Sequence, residues 1–182
     1  LSTVILICAI SGYNLCSAQE CGYVYVTPGG ASSGVAGTKA TPANLIHGLS
    51  LANPTDNIIR MADGTYSLSS ELIMQGNVTI EGGFNAVTWA KSNTSITIIH
   101  RDASNVLPSP NRLIAISCIG ISNFRILDIT INMDDAVGNG VSTYGIYLNG
   151  CADYTLSRCI INVGNSSDGL PGTPGTNGIF GA

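Results

Sequence analysis

The chain has 182 residues, 45% of them hydrophobic and only 10% charged, with 22 glycines and a net charge of −4. That is too apolar for a disordered chain and too poor in Lys and Glu for an ordinary helical domain. Seven Lys and Arg, scattered singly, do not make the basic stripe that a nucleic-acid partner requires.

At the amino end, Leu1 to Ile10 is an apolar run of signal-peptide length, too short to span a bilayer. It leads to Cys16 and Ala18, small residues at −3 and −1 of a cleavage point before Gln19. Residues 1–18 are therefore expected to be a signal peptide truncated at its start, with a buried strand or helix as the competing reading. Export places the mature protein outside the cytoplasm, secreted or at the cell surface, with no transmembrane span once the signal is removed. It also leaves Cys21, Cys118, Cys151 and Cys159 where disulfides are permitted.

Residues 19–56 read as a first strand, a loop and a helix. Tyr23 to Val26 is β-branched and aromatic. Pro28-Gly29-Gly30 opens a Gly/Ser/Thr-rich surface loop that carries no phosphate-binding signature. Thr41 is expected as N-cap and Pro42 as first helical residue, with Leu45, Leu49 and Ala52 on one apolar face and Asn53-Pro54 as the stop. Such a helix suits the open end of a stack of strands. His47 on it has no carboxylate or cysteine companion and reads as exposed or capping.

From residue 57 onward, short strands follow one another. Ile58 to Met61 is the first, and Ala62-Asp63-Gly64-Thr65-Tyr66 reads as a turn. Leu72 to Met74, Asn77 to Ile80 and Ser95 to Ile99 come next. The stretch from Ile114 to Val163 then states one pattern twice. Ile114 and Tyr144, Gly120 and Gly150, Phe124 and Tyr154, Ile126 and Leu156, Ile129 and Cys159, and Asn132 and Asn162 all stand 30 apart. A fixed period of this size marks a repeat architecture. Inside each copy apolar residues alternate, Phe124/Ile126 then Ile129/Ile131, which is strand periodicity with one face buried. Two strands separated by a two-residue break describe a coil turning a corner. Asn77, Asn123, Asn132 and Asn162 at strand ends suit tight corners, and the last two are aligned to stack as a ladder.

In order along the chain come Tyr23-Val-Tyr-Val26, Gly37-Thr38, Pro42 with its apolar helix, Asp63-Gly-Thr-Tyr66, Asn77-Val-Thr-Ile-Glu-Gly-Gly-Phe84 and Ile121-Ser-Asn-Phe124 running into Asp128-Ile-Thr-Ile131. This series resembles the amino-terminal part of secreted bacterial right-handed parallel β-helix proteins of the pectin-lyase-like superfamily. The signal ending and the Gly-Gly-Phe style look most like exported proteins of the Bacteroidota. The resemblance covers about residues 22 to 163 and implies a fold rather than an activity. The expected fold is an all-β, right-handed parallel β-helix with a short amino-terminal capping helix. Residues 57–182 are its opening coils, about four of them, in what is expected to be a piece of a longer chain.

Candidate chemistry is sparse. His100-Arg101-Asp102 matches a kinase triplet by chance, with Asn105 at the wrong offset. Asp134-Asp135 lacks the companions of a polygalacturonase site and reads as a solvated turn. Arg125, Asp128, Asp153 and Arg158 are the candidates for lyase-type chemistry, since β-elimination needs a base and clustered acids. Asp128 and Arg158 share the 30-residue offset, so a salt bridge between adjacent coils is the plainer account. Trp89, Tyr144 and Tyr147 are candidate stacking faces for sugar rings. Cys151 and Cys159 occupy repeat positions of Ile121 and Ile129 and read as small buried hydrophobes; a Cys118–Cys151 disulfide requires that the two lie on adjacent coils. No Cys/His spacing suggests a metal. No cofactor is expected, and calcium enters only with the lyase alternative.

Gly169 to Gly178 is a Gly-x-y run too short for a collagen triple helix, and reads as a loop. Two functions from different classes remain. The first is an exported β-helix protein with a structural, adhesive or glycan-contacting role. The alternative is a polysaccharide lyase or glycoside hydrolase whose catalytic coils lie beyond residue 182.

Overall fold

The structure is a computed structural model and describes residues 20–175. The expected signal peptide and the end of the Gly-x-y run lie outside the described residues. In chain order the elements are β1 (Tyr23–Ala31), α1 (Leu45–Leu51), β2 (Ile58–Ala62), β3 (Gly64–Leu68), β4 (Leu72–Ile73), β5 (Thr79–Phe84), β6 (Thr97–Arg101), β7 (Arg112–Ile119), β8 (Ser122–Leu127), β9 (Thr130–Met133), β10 (Ser142–Asn149), β11 (Ala152–Ser157) and β12 (Ile160–Asn162).

All named strand pairs are parallel and fall into three sheets, ordered β1-β2-β5-β8-β11, β10-β7-β4 and β12-β9-β6-β3. They are called here sheets A, C and B. From β2 on, the chain visits A, B and C in turn, so each circuit lays one strand on each sheet, and the fold is the expected all-β parallel stack. On sheet C, β7 and β10 have eight residues each and are longer than the Ile114–Ile116 pattern announces, whereas β4 has two.

Register follows from the inward residues. Val24, Ile59, Ile80, Ile126 and Leu156 stand in one column on sheet A. Tyr66, Ile99, Ile131 and Ile161 do so on sheet B, and Leu72, Ile116 and Ile146 on sheet C. A one-residue slip in any strand would turn its apolar set outward. Each fully buried Ile or Leu stabilises by about 1.5–3 kcal/mol, so the columns hold the register. Phe124 and Tyr154 stack with ring centres 5.5 Å apart. In the last circuit Tyr154, Leu156 and Ile161 remain 38–45% exposed, because among the described residues no further circuit covers them.

At the other end, α1 lies against β1 and β2 and sends Leu45 and Leu49 into the core. Gly48 is required at this contact: a Cβ there would stand 2.3 Å from Val26 Cγ1. Three expectations need correction. The helix starts later than expected and is capped by Asn44, whose Oδ1 accepts from the His47 N–H at 2.8 Å, while Thr41 Oγ1 pairs with Thr38 Oγ1 at 2.9 Å. Pro28-Gly29-Gly30 is strand, not loop. Ala31 exchanges backbone hydrogen bonds with Pro42 and Asn44, and Gly30 presses so closely on Ala43 that a Cβ would stand 2.0 Å from its carbonyl oxygen. Finally, the expected turn at Ala62–Tyr66 shrinks to a corner at Asp63, with Gly64 already in β3 at φ +119°.

Candidate functional site

The corner from sheet A to sheet B falls at Asp128 in one circuit and at Arg158 in the next, with φ of 55° and 53°. L-residues are disfavoured in this left-handed region by about 1–2 kcal/mol, so the pair they form matters. Arg158 Nη2 donates to Asp128 Oδ2 at 2.7 Å, and its Nε donates to Oδ1. Lys91 bridges the same carboxylate to Glu81. The guanidinium and the ammonium hold the Asp128 carboxyl down to about 2, Arg158's hydrogen bonds contributing most. The same bonds raise Arg158. An arginine that serves as a base needs its proton loosened; here it is held more tightly. A groove of about 250 Å³ runs beside these residues, lined by Ser92, Asn93, Ser95, Thr97 and Thr130.

The other two lyase candidates are not brought to this corner. Arg125 projects from the outer face of β8 between Thr79 and Thr155, and its side chain has no hydrogen bond or ion pair among the described residues. Asp153 is the second residue of β11, just past the corner from sheet C to sheet A, with φ of 51°. It stands above Asn123 and Asn77, which share its left-handed backbone, and Asn123 Nδ2 donates to Asn77 Oδ1 at 3.1 Å. Asn132 and Asn162 differ: they sit within β9 and β12 and stack there, Nδ2 to Oδ1 at 2.8 Å.

The three aromatic candidates separate in the same way. Trp89 is 8% exposed and packs edge-on against Tyr25, ring centres 4.7 Å apart, beside Phe84 and Ala62. The 85–96 loop thus folds Trp89 over the outer face of sheet A as an anchor, and its ring face is not offered to solvent. Tyr144 and Tyr147 stay together on the outer face of sheet C while Ile146 and Leu148 pack on the core. Their rings meet edge to face at 5.4 Å, and Tyr144 is 37% exposed. The Arg112 guanidinium lies 5.1 Å from the Tyr147 ring centre, and its Nε has no hydrogen-bond partner. Column neighbours on this face are Ile73 and Ser117, aligned with Tyr147.

Sequence reasoning missed Arg101, which is 1% exposed. Its Nε donates to the Ile114 carbonyl at 3.1 Å, Nη1 to the Asp102 carbonyl at 2.6 Å, and Nη2 to those of Ser104 and Asn105 at 2.6 and 3.2 Å. The signal was present, since the alternation Thr97, Ile99, Arg101 places all three on the inner side. Also missed was a hollow of about 420 Å³ walled by Asn53, Asn57, Gln75, Asn77 and Asn123. Of the acidic turn, Asp134 Oδ1 accepts from His100 Nε2 at 3.0 Å when the ring carries its proton there, and Asp135 Oδ1 accepts from Asn165 N and Nδ2 at 2.7 and 3.1 Å.

Among the described residues no group of three or more His, Cys, Asp or Glu is placed to hold a metal ion, and no helix is long and apolar enough to cross a membrane. Comparison with family models, with curated proteins and with solved structures finds no match to this chain.

Proposed function

We propose that this chain forms an exported right-handed parallel β-helix whose sheet C outer face contacts glycan. The handedness rests on the strong right-handed preference of crossovers between parallel strands of one sheet, here each link from one circuit to the next. Export rests on the apolar leader and its small-residue ending.

The observation that carries the glycan role is the Tyr144–Tyr147–Arg112 platform. Two rings tilted 78° to one another offer a stacking face and an edge, and a guanidinium in no ion pair among the described residues stands beside them. Sugar rings present C–H faces to aromatic rings, and acidic sugars add a carboxylate that pairs with arginine. Parallel stacking sets Ser117 and Ile73 in line with Tyr147, so the platform is one rung on a face that runs across the circuits. The Asp128–Arg158–Lys91–Glu81 group serves structure in this reading, its charges neutralising one another.

Affinity electrophoresis of the protein through polygalacturonate, alginate and a neutral glucan tests the proposal. Retardation by at least one polymer, abolished by Tyr147→Ala and weakened by Arg112→Gln, is expected. Equal mobility of wild type and Tyr147→Ala in every gel would overturn it. Release of unsaturated or reducing ends would instead favour the lyase or hydrolase reading.

A further inference from the structure

We propose that Cys118 and Cys151 form a specific disulfide that ties β7 to the turn between β10 and β11. Cys118 is fully buried on β7, where it pairs with Leu148 of the next circuit. Cys151 follows three residues later, past Gly150, whose φ of +64° turns the chain back over the core. Its Sγ stands 3.2 Å from the Cys118 carbonyl oxygen, and its side chain packs on the same core cluster as Cys118. Both sulfurs therefore lie on the inner side of one corner, on adjacent circuits. Circuits stack about 4.8 Å apart; Cys118 stands in register with Leu148, so Cys151 meets it diagonally across the corner, with its sulfur against the Cys118 backbone. One sulfur already stands against the partner's backbone, and closing the bridge turns Cys151 Sγ from the Cys118 carbonyl to the Cys118 sulfur by a local adjustment at this corner. Neither other described cysteine is so placed: Cys159 Sγ rests 3.3 Å from the Ile126 carbonyl, and Cys21 is exposed near the amino end.

The two thiols differ in a way that orders the reaction. Cys151 is partly exposed, whereas burial pushes the Cys118 thiol up to about 12. The Cys151 thiolate attacks oxidised glutathione, breaking its S–S bond, forming a mixed disulfide and releasing one glutathione thiol. Cys118 sulfur then attacks the Cys151 sulfur, its proton leaving with the second glutathione. Two protein thiols and one oxidised glutathione thus become one protein disulfide and two reduced glutathiones. The bridge closes a loop of 33 residues. It is independent of the glycan reading; export supplies the oxidising compartment, and a glutathione buffer supplies the same chemistry in vitro.

The test is to hold the folded protein in a glutathione redox buffer, alkylate, and digest with trypsin. Cleavage after Arg112, Arg125 and Arg158 puts Cys118 in the 113–125 peptide and Cys151 in the 126–158 peptide. The expected product is these two peptides joined, lighter by two hydrogens than the free pair. The melting temperature should stand several degrees above that of the reduced protein. Cys159→Ser should leave the link unchanged, and Cys118→Ser should strand glutathione on Cys151. The proposal is overturned if both cysteines are recovered as thiols, if wild-type Cys151 retains glutathione while Cys118 stays free, or if either cysteine links to any other.

Discussion

Two successive circuits solve the same packing problem with different lengths of chain. Between the corner residues Asn77 and Asn123 the chain spends 46 residues, whereas from Asp128 to Arg158 it spends 30. Yet the inward columns pass through both without a break, Ile80 on Ile126 on Leu156 and Ile99 on Ile131 on Ile161. The surplus in the longer circuit is expelled as the loops 85–96 and 102–111. Each loop is held by one large side chain, Trp89 over the outside of sheet A and Arg101 beneath the turn at Asp102–Asn105. Regular circuits take their stability from stacking; an enlarged circuit adds private anchors to keep its loops from opening.

The sharpest way to break this comparison is to remove an anchor. Arg101→Met keeps the buried stem but leaves the carbonyls of Ile114, Asp102, Ser104 and Asn105 without their donor. Breaking a buried charged network of this kind costs about 3–5 kcal/mol. Urea denaturation should show that loss, while Arg125→Met on the open face of β8 stays within about 0.5 kcal/mol of wild type. Equal midpoints for the two variants would mean that Arg101 anchors nothing. Next in size is Trp89→Ala, expected to lose about 2–4 kcal/mol by emptying the space against Tyr25 and Phe84. Tyr147→Ala on sheet C should lose less than about 1 kcal/mol, since its ring is partly exposed and faces away from the core.

The same contrast explains what could be read in advance. The regular circuit was legible because the sequence repeats. Ile126 and Leu156 share an offset, and so do Asn132 and Asn162, and a constant offset is the register itself. The Asp128–Arg158 pairing came from that arithmetic as well. The enlarged circuit has no second copy to compare, so its loops concealed both anchors. Trp89 stands in a polar stretch, where one aromatic looks like a surface feature. Arg101 was read through the letters His100-Arg101-Asp102 rather than through the alternation that turns it inward. The helix start was misplaced for a related reason: Thr41-Pro42 has good capping chemistry, but Ala31 claims the backbone of Pro42 and Asn44 for strand pairing. The Tyr144–Tyr147 pair was visible as two aromatics, while Arg112 joins them only through the pairing of β7 with β10.

A smaller effect separates the charged corner from the core by pH. Asp128 titrates at about 2 in the fold against an ordinary value of 3.8, with Arg158 the leading cause. Its folded pKa is the lower one, so its contribution is complete above about 4 and disappears as pH falls through about 2. With Arg158 largely in solvent, about 1 kcal/mol is expected. Asp128→Asn should lose that amount at pH 6 and become indistinguishable from wild type near pH 2. A constant gap between the two across this range would assign the effect to the left-handed backbone at residue 128 instead of to charge.

The smallest effect should come from the regular circuit's own ladder. Asn162 Nδ2 donates to Asn132 Oδ1 at 2.8 Å on the outer face of sheet B, where water competes for both groups. A hydrogen bond so exposed contributes about 0.5 kcal/mol net, and neither asparagine has the positive φ that would make replacement costly. Asn162→Ala and Asn132→Ala should each lose about that much, and the double variant also only about 0.5 kcal/mol, which is a coupling near 0.5 kcal/mol in a double-mutant cycle. Asn123→Ala, on a backbone with φ of 55°, should lose more than either. If Asn123→Ala proves as mild as Asn162→Ala, the corners are not what holds the circuits in line. The inward columns alone would then account for the register.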